Sequence, residues 1–322
     1  MPNYSELVFQ YLQSVNSKNT PSGLYEPIAY LLQLGGKRIR PMLTLMATDV
    51  FGGDVQKSLP AALSVELFHN FTLMHDDIMD DAPLRRGQQT VHEKWDVNTG
   101  ILSGDAMLVQ AYLALEAYPD VLFGKLTRLL SQTAIEVCEG QQYDVDFEIE
   151  NETTIETYLE MIRLKTAVLV GCALKMGVYI AEGDADSAQK LYDFGVKLGL
   201  AFQIQDDYLD AFGDPQTFGK QLGGDIIENK KTILYHKTLA LGTTDQKIQL
   251  LEWFEASKSF ADGTKISEVK KLFKASGAAQ ASQKLMQQYT KDAFDVLDSL
   301  DLIPEKKQLL VDFANQLMQR KY

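Results

Sequence analysis

The stretch Met74–Gly87 reads MHDDIMDDAPLRRG. Four carboxylates, Asp76, Asp77, Asp80 and Asp81, fall within six residues, and Arg85 and Arg86 follow. Like charges at this density repel unless positive charge sits among them. A charge run is usually a solvated helix face, but FTLMHDDIM sets these acids in sequence that otherwise reads as buried. On a helix Asp76 and Asp80 are four apart and share a face. The pattern returns in QIQDDYLD, Gln203–Asp210, where Asp206 and Asp210 repeat the spacing and Gln203 extends the stripe.

Carboxylates stacked in this way are poor helix neighbours but good hard-oxygen ligands. Mg²⁺ suits them, because it prefers oxygen and is usually held by one or two carboxylates plus substrate phosphates. The cations add a second clue. Arg85 and Arg86 follow the first cluster, GGKRIRP places Lys37, Arg38 and Arg40 behind a glycine pair, and Lys165 sits in RLKTAVL. Lys220 and Lys230 follow the second cluster. Arginine forks and lysine point charges are standard phosphate contacts. Carboxylates for Mg²⁺ with scattered cations describe a site for diphosphates, and for more than one of them. Arg38 and Lys231 are read as surface residues outside this set.

The chain has 322 residues, 45% of them hydrophobic, so a sizeable core is expected and global disorder is not. A net charge of −13 argues against nucleic acid as a partner, which needs a basic face. Cys138 and Cys172 show no metal-ligand spacing and read as buried structural thiols in a reducing compartment. The N-terminus MPNYSELVFQ lacks a signal-peptide pattern, and no apolar run approaches the roughly 20 residues of a membrane span. A cytoplasmic protein is expected.

Helical periodicity dominates: Leu63, Leu67, Phe71 and Met74 recur at three and four residues, as do Leu108, Ala111, Tyr112 and Leu115. The prolines fall mainly at segment edges, Pro27 and Pro41 included. Connections are expected at 18–23, 52–57, 150–154, 182–186 and 242–245. The glycine-rich stretch Gly213–Gly224 (GDPQTFGKQLGG) reads either as a mobile lid or as an ordinary helix connection. The whole reads as one all-α domain over residues 1–322.

Together these motifs resemble the trans-prenyltransferases, the polyprenyl diphosphate synthase family. The resemblance covers most of the chain and rests on GGKRIRP, ELFHNFTLMHDDIMDDAPLRRG, GQQYD, RLKT, FQIQDDYLDAFGD, GKQLGGD and NKKT, in that order. It implies an isoprenoid synthase-type helical bundle around a central active-site cavity, and a homodimer. It further implies that Asp76, Asp80 and Asp206 ligate Mg²⁺, three ions with substrate bound, with Asp77, Asp207 and Asp210 in or next to the shell. Lys37, Arg40, His69 and Arg86 match residues that hold isopentenyl diphosphate. Arg85, Lys165, Thr166, Gln203, Lys220 and Lys230 match those around an allylic diphosphate, and Gln141 and Asp144 match a pair near the metal.

The implied reaction is a Mg²⁺-dependent head-to-tail condensation. Asp76, Asp80, Arg85, Lys165, Gln203, Asp206 and Lys220 carry ionisation of the allylic diphosphate, which isopentenyl diphosphate then attacks before a proton is lost. Phe71 lies five residues, about 7.5 Å of helix, before Asp76. An aromatic there resembles short-chain members, giving an expected all-trans product of fifteen to twenty carbons, with Phe71 as the floor of the product tunnel.

The rival readings fit less well. A class I terpene cyclase-like diphosphate lyase shares the ionisation step but needs neither the second D-D-x-x-D nor the set Lys37, Arg40 and His69. A metal-dependent phosphohydrolase needs more histidine than this chain's four. A non-catalytic partner subunit would carry degraded aspartate motifs. The ending Gln319–Tyr322 reads as a frayed terminus, although some relatives close the site with a basic tail.

Overall fold

The computed structural model describes residues 3–15, 20–150, 153–214, 222–255 and 261–319. They form α1 (Tyr4–Val15), α2 (Ser22–Gln33), α3 (Ile39–Val50), α4 (Leu59–Met79), α5 (Val91–Lys94), α6 (Val97–Ala114), α7 (Asp120–Ile149) and α8 (Ile155–Ile162). There follow α9 (Val168–Ile180), α10 (Ala185–Phe212), α11 (Gly224–Ile227), α12 (Ile233–Leu241), α13 (Thr244–Trp253), α14 (Asp262–Ala275), α15 (Ala278–Asp298) and α16 (Pro304–Met318). Among the described residues the only strands are β1 (Leu84–Arg85) and β2 (Gln88–Gln89), an antiparallel pair with Leu84 opposite Gln89. The all-α expectation holds. The expected break at 182–186 overlaps the junction of α9 and α10, and that at 242–245 the junction of α12 and α13, while residues 151–152 of the break at 150–154 lie outside the described residues; Pro27 lies inside α2 rather than at its edge.

Two compact units divide the chain, Met1–Ser131 with Cys172–Gln189, and Gln132–Gly171 with Lys190–Tyr322. In the first, α4 contributes Leu63, Val65, Leu67, Phe68 and Met74 to a core shared with Leu43 and Leu45 of α3 and Met107 and Ala111 of α6. Nothing after Pro60 interrupts α4, and Pro60 stands in its first turn, where a missing N–H is harmless. The helix ends at its own aspartates. Ala82 N–H donates to Asp77 C=O (2.9 Å) and Asp81 N–H to Ile78 C=O (3.3 Å), a Schellman arrangement with Asp81 left-handed at φ 48°. Asp is among the few residues other than glycine that visit this conformation.

In the second unit, Tyr158, Ile162, Ile204, Leu234, Val269 and Phe273 form the centre of the core. Here α10 runs unbroken through Gln203, Asp206, Asp207 and Asp210 before ending at Phe212. Both aspartate clusters therefore lie at the last turns of long helices.

Three expectations need correction. Arg38 is not a surface residue: it ion-pairs with Glu66, which is 2% exposed, and donates to Leu32 C=O. Glu66 also accepts from Asn70 Nδ2 (2.8 Å), so α3 and α4 are tied through a buried polar cluster. Lys231 is half-buried, and its Nζ donates to Phe147 C=O (2.8 Å) and Glu150 C=O, satisfying carbonyls at the C-terminus of α7. Of the two cysteines only Cys172 is buried; Cys138 is exposed because its position on α7 faces solvent.

Removing one partner of a buried ion pair leaves the other charge stranded. Arg38→Ala is expected to cost about 3–5 kcal/mol in urea unfolding. A loss under about 1 kcal/mol, the range of exposed pairs, would show that Glu66 is rehydrated without it.

Candidate active site

In the first unit, the GGKRIRP turn and the β1–β2 hairpin meet. Gly36 has φ +117°, and a Cβ there would lie 2.7 Å from the Arg86 guanidinium, so glycine is what admits that side chain. Arg86 donates to Gly35 C=O in the same turn. Arg40 Nη1 lies 3.2 Å from Nε2 of His69. Burial first, then the charges of Arg40, Arg86, Arg85 and Arg38, hold the His69 imidazole well below its usual range. A neutral His69 facing a guanidinium, which can only donate, must accept through Nε2 and carry its proton on Nδ1. His69 therefore adds no charge; it orients Arg40. Burial, followed by Arg38 and Arg85, also lowers the Arg86 pKa. Lys37 is exposed beside this cationic cluster.

The aspartates of α4 are not equivalent. Asp77 is 3% exposed, and Arg85 clamps it, with Nε at 2.7 and 2.9 Å from its two oxygens and Nη2 at 2.7 Å. Burial still pushes the Asp77 carboxyl upward, against the pull of Arg85. Asp76 is half-buried, 3.9 Å from Arg85 Nη2, and Asp80 is exposed at the helix end. Phe71, half-buried, packs on Phe68 (5.7 Å between ring centres) and edge-on to His75 (4.9 Å).

The second unit repeats the arrangement with neutral donors. Asp207 is buried and accepts from the Tyr158 hydroxyl, from Gln203 Nε2 (3.1 Å) and from Ile233 N–H (3.5 Å). Burial raises its carboxyl to about 7, while these donors oppose the shift. Because Gln203 gives its nitrogen to Asp207, its oxygen faces Thr166, whose hydroxyl donates to it at 3.3 Å. Asp206 and Asp210 are half-buried, and Asp210 accepts from Asp225 N–H (3.2 Å). Burial, then Asp207 and Asp210, raises the Asp225 pKa strongly.

Lys165 pairs with Asp144 at 2.6 Å, both about three-quarters buried. Lys165 and Thr166 lie in a π-helical turn, Arg163–Ala167, a form that frequently marks functional sites. Gly140 of the GQQYD motif permits it: a Cβ there would meet Lys165 N at 2.2 Å. Gln141 is half-buried one residue on, and Lys230 pairs with Glu228 at 2.8 Å.

Contacts join Arg40 to His69 and Asp76 and Asp77 to Arg85 in the first unit, and Thr166 to Gln203, Gln203 to Asp207 and Lys165 to Asp144 in the second; Lys220 lies outside the described residues, as do most of Gly213–Gly224 and the tail after Gln319. Tyr158 and Asp225 were missed. Asp225 closes the GKQLGGD motif and was legible there; Tyr158 sits in the apolar periodicity of α8 and carries no such signal.

Each pair of outer aspartates fits Mg²⁺: Asp76 and Asp80 in the first unit, and Asp206 and Asp210 in the second, offer oxygen only, on half-buried to exposed faces, beside one aspartate that the protein ties down itself, Asp77 by Arg85 and Asp207 by neutral donors.

Known proteins carry the same pattern. Residues 21–275 match the family described as Polyprenyl synthetase. The chain is 33% identical over 320 residues to a geranylgeranyl pyrophosphate synthase from Geoglobus acetivorans, covering 99% of this chain and 97% of that one. It is 35% identical to a geranylfarnesyl diphosphate synthase from Natronomonas pharaonis, covering 94% and 91%. A crystal structure of a geranylgeranyl pyrophosphate synthase superposes with a TM-score of 0.95 at 50% identity, with both chains fully covered.

Tyr158→Phe removes one donor from Asp207. A hydrogen bond to a charged, buried group contributes about 1.5–3 kcal/mol. That loss is expected in urea unfolding above the pH at which Asp207 ionises; unchanged stability would mean that Gln203 and Ile233 suffice.

Proposed function

The chain belongs to the polyprenyl synthetase family and has its all-α fold, and from that premise we propose that it condenses isopentenyl diphosphate head-to-tail with an allylic diphosphate. The product is a short all-trans prenyl diphosphate, of twenty carbons in our reading. One observation carries this most directly. In both D-D-x-x-D motifs the second aspartate is buried and tied down within the protein, while the first and last are more open. That is what a metal-and-diphosphate face requires of a helix.

Asp76 and Asp80 in the first unit, and Asp206 and Asp210 in the second, would hold Mg²⁺, three ions with substrate bound, which would supply positive charge to the departing diphosphate. Asp77 and Asp207 stand next to that shell and stiffen it. Arg85 sets Asp77 and adds charge beside Asp76. Lys165, Lys220 and Lys230 bind the allylic diphosphate, with Asp144 holding Lys165 in place and Gln141 beside it. As the allylic carbon–oxygen bond ionises, the oxygen of Gln203, turned away from Asp207, and Thr166 present negative dipole to the cation. Lys37, Arg40 and Arg86 bind isopentenyl diphosphate, with neutral His69 aligning Arg40. Its double bond attacks the cation, and the released diphosphate takes the proton. A terpene cyclase would have no second diphosphate for this cationic cluster to hold.

The family match runs through both compact units, which supports one functional domain over 1–322. Among the described residues no helix is long and apolar enough to cross a membrane, and the cysteines form no disulfide; a cytoplasmic setting accords with both. A homodimer is supported by α6, which exposes Val97, Ile101, Val109 and Leu113 as a stripe at four-residue spacing, broken by Asp105. Sedimentation should give a dimer; a monomer at micromolar concentration would remove that reading.

Incubation with Mg²⁺, isopentenyl diphosphate and separately dimethylallyl, geranyl or farnesyl diphosphate should give elongated products that stop at fifteen to twenty carbons. Diphosphate release with only cyclic or hydrolysed product would contradict condensation. Phe71→Ala should lengthen the product by at least one five-carbon unit; an unchanged distribution would remove Phe71 as the tunnel floor.

A further inference from the structure

His92 on α5 is 92% buried by its 8% exposure, and neither of its ring nitrogens has a hydrogen-bond partner. An unsatisfied buried polar side chain is costly and calls for an explanation. Its Nε2 is aimed at two carboxylates, with Asp81 Oδ1 at 4.0 Å and Glu93 Oε1 at 3.9 Å. One ligand atom from each of the three residues lies within 4.8 Å of the others. Asp81 and Glu93 stand on the solvent side, at 98% and 46% side-chain exposure. These residues have no role in the diphosphate chemistry above.

We propose that Asp81, His92 and Glu93 form a second metal site, for a divalent transition metal of the Zn²⁺ class rather than Mg²⁺. Imidazole favours Zn²⁺, Co²⁺ and Ni²⁺, whereas Mg²⁺ takes oxygen alone. With bonds of about 2.0–2.2 Å and tetrahedral angles, two ligand atoms on one ion stand about 3.4 Å apart, and the distances to Nε2 of 4.0 Å from Asp81 and 3.9 Å from Glu93 exceed that spacing by only about half an ångström. Rotation of the two exposed carboxylates closes the remainder. Two carboxylates and a neutral imidazole balance a dication, and water completes the coordination.

The site has a structural consequence. Asp81 is the residue after Asp80, at the left-handed end of α4, and His92 and Glu93 lie on α5. An ion shared by them closes the segment between, 82–91, which contains β1, β2, Arg85 and Arg86. It would staple the hairpin that carries the two arginines. The metal site itself stands apart from the prenyl-transfer reading; its effect on those arginines rests on it.

The test is Co²⁺ titration of the chelator-stripped full chain, with excess Mg²⁺ present to occupy positions that offer only oxygen. The expected result is one equivalent bound, with visible d–d bands and an imidazole nitrogen in the X-ray absorption spectrum. Glu93→Gln and Asp81→Asn change exposed side chains, so both should fold; each should weaken Co²⁺ binding at least tenfold, and the double variant should abolish it. Because His92 is buried, His92→Asn is not the deciding variant. One equivalent whose affinity neither variant moves, no binding beyond that of the double variant, or a spectrum without nitrogen ligation would each overturn the proposal. None of these readouts depends on turnover, so its failure would leave the prenyl-transfer reading untouched.

Discussion

Acidic side chains four apart on one helix face repel, and the repulsion grows as water is withdrawn. The protein accepts this strain twice and manages it in the same way each time. It buries the middle aspartate of each motif and neutralises or hydrogen-bonds it internally, by Arg85 for Asp77 and by Tyr158, Gln203 and Ile233 for Asp207. The outer carboxylates are thereby fixed in position while staying accessible to a cation. Burial still raises both middle carboxyls, against the pull of these contacts.

Close backbone approach does the rest of the positioning. The π turn that presents Lys165 and Thr166 lies against α7 at a residue without a side chain, Gly140, and Arg86 reaches the backbone at Gly36 for the same reason. Lysine and arginine heads are long and mobile; anchoring them through a pinned backbone would limit the entropy lost on binding an anion. His69 completes the logic from the other side, since a neutral imidazole can hold a guanidinium without competing for the anion.

Much of this was legible in the sequence, for definite physical reasons. Asp76 and Asp80, or Asp206 and Asp210, announce a shared helix face by spacing alone, and apolar flanks mark the face as half-buried. The glycine pair ahead of Lys37 and the ordered motifs that follow were equally readable. What escaped were partnerships made across long sequence separation. Nothing near Arg38 predicts Glu66, and nothing near Lys231 predicts the carbonyl end of α7, so both looked like surface cations. Tyr158 is indistinguishable from core packing until Asp207 is found against its hydroxyl. The β1–β2 hairpin, two residues per strand, is too short to leave an alternating pattern.

If the aspartate faces accept an allylic diphosphate only together with Mg²⁺, and the protein's own cations hold isopentenyl diphosphate, the two ligands should differ in their need for the metal. Calorimetric titration of a non-ionisable allylic thiodiphosphate and of isopentenyl diphosphate, each with and without Mg²⁺, tests it directly. Removing Mg²⁺ should abolish binding of the allylic analogue and leave isopentenyl diphosphate binding largely intact. Equal binding of the allylic analogue with and without Mg²⁺ would contradict it.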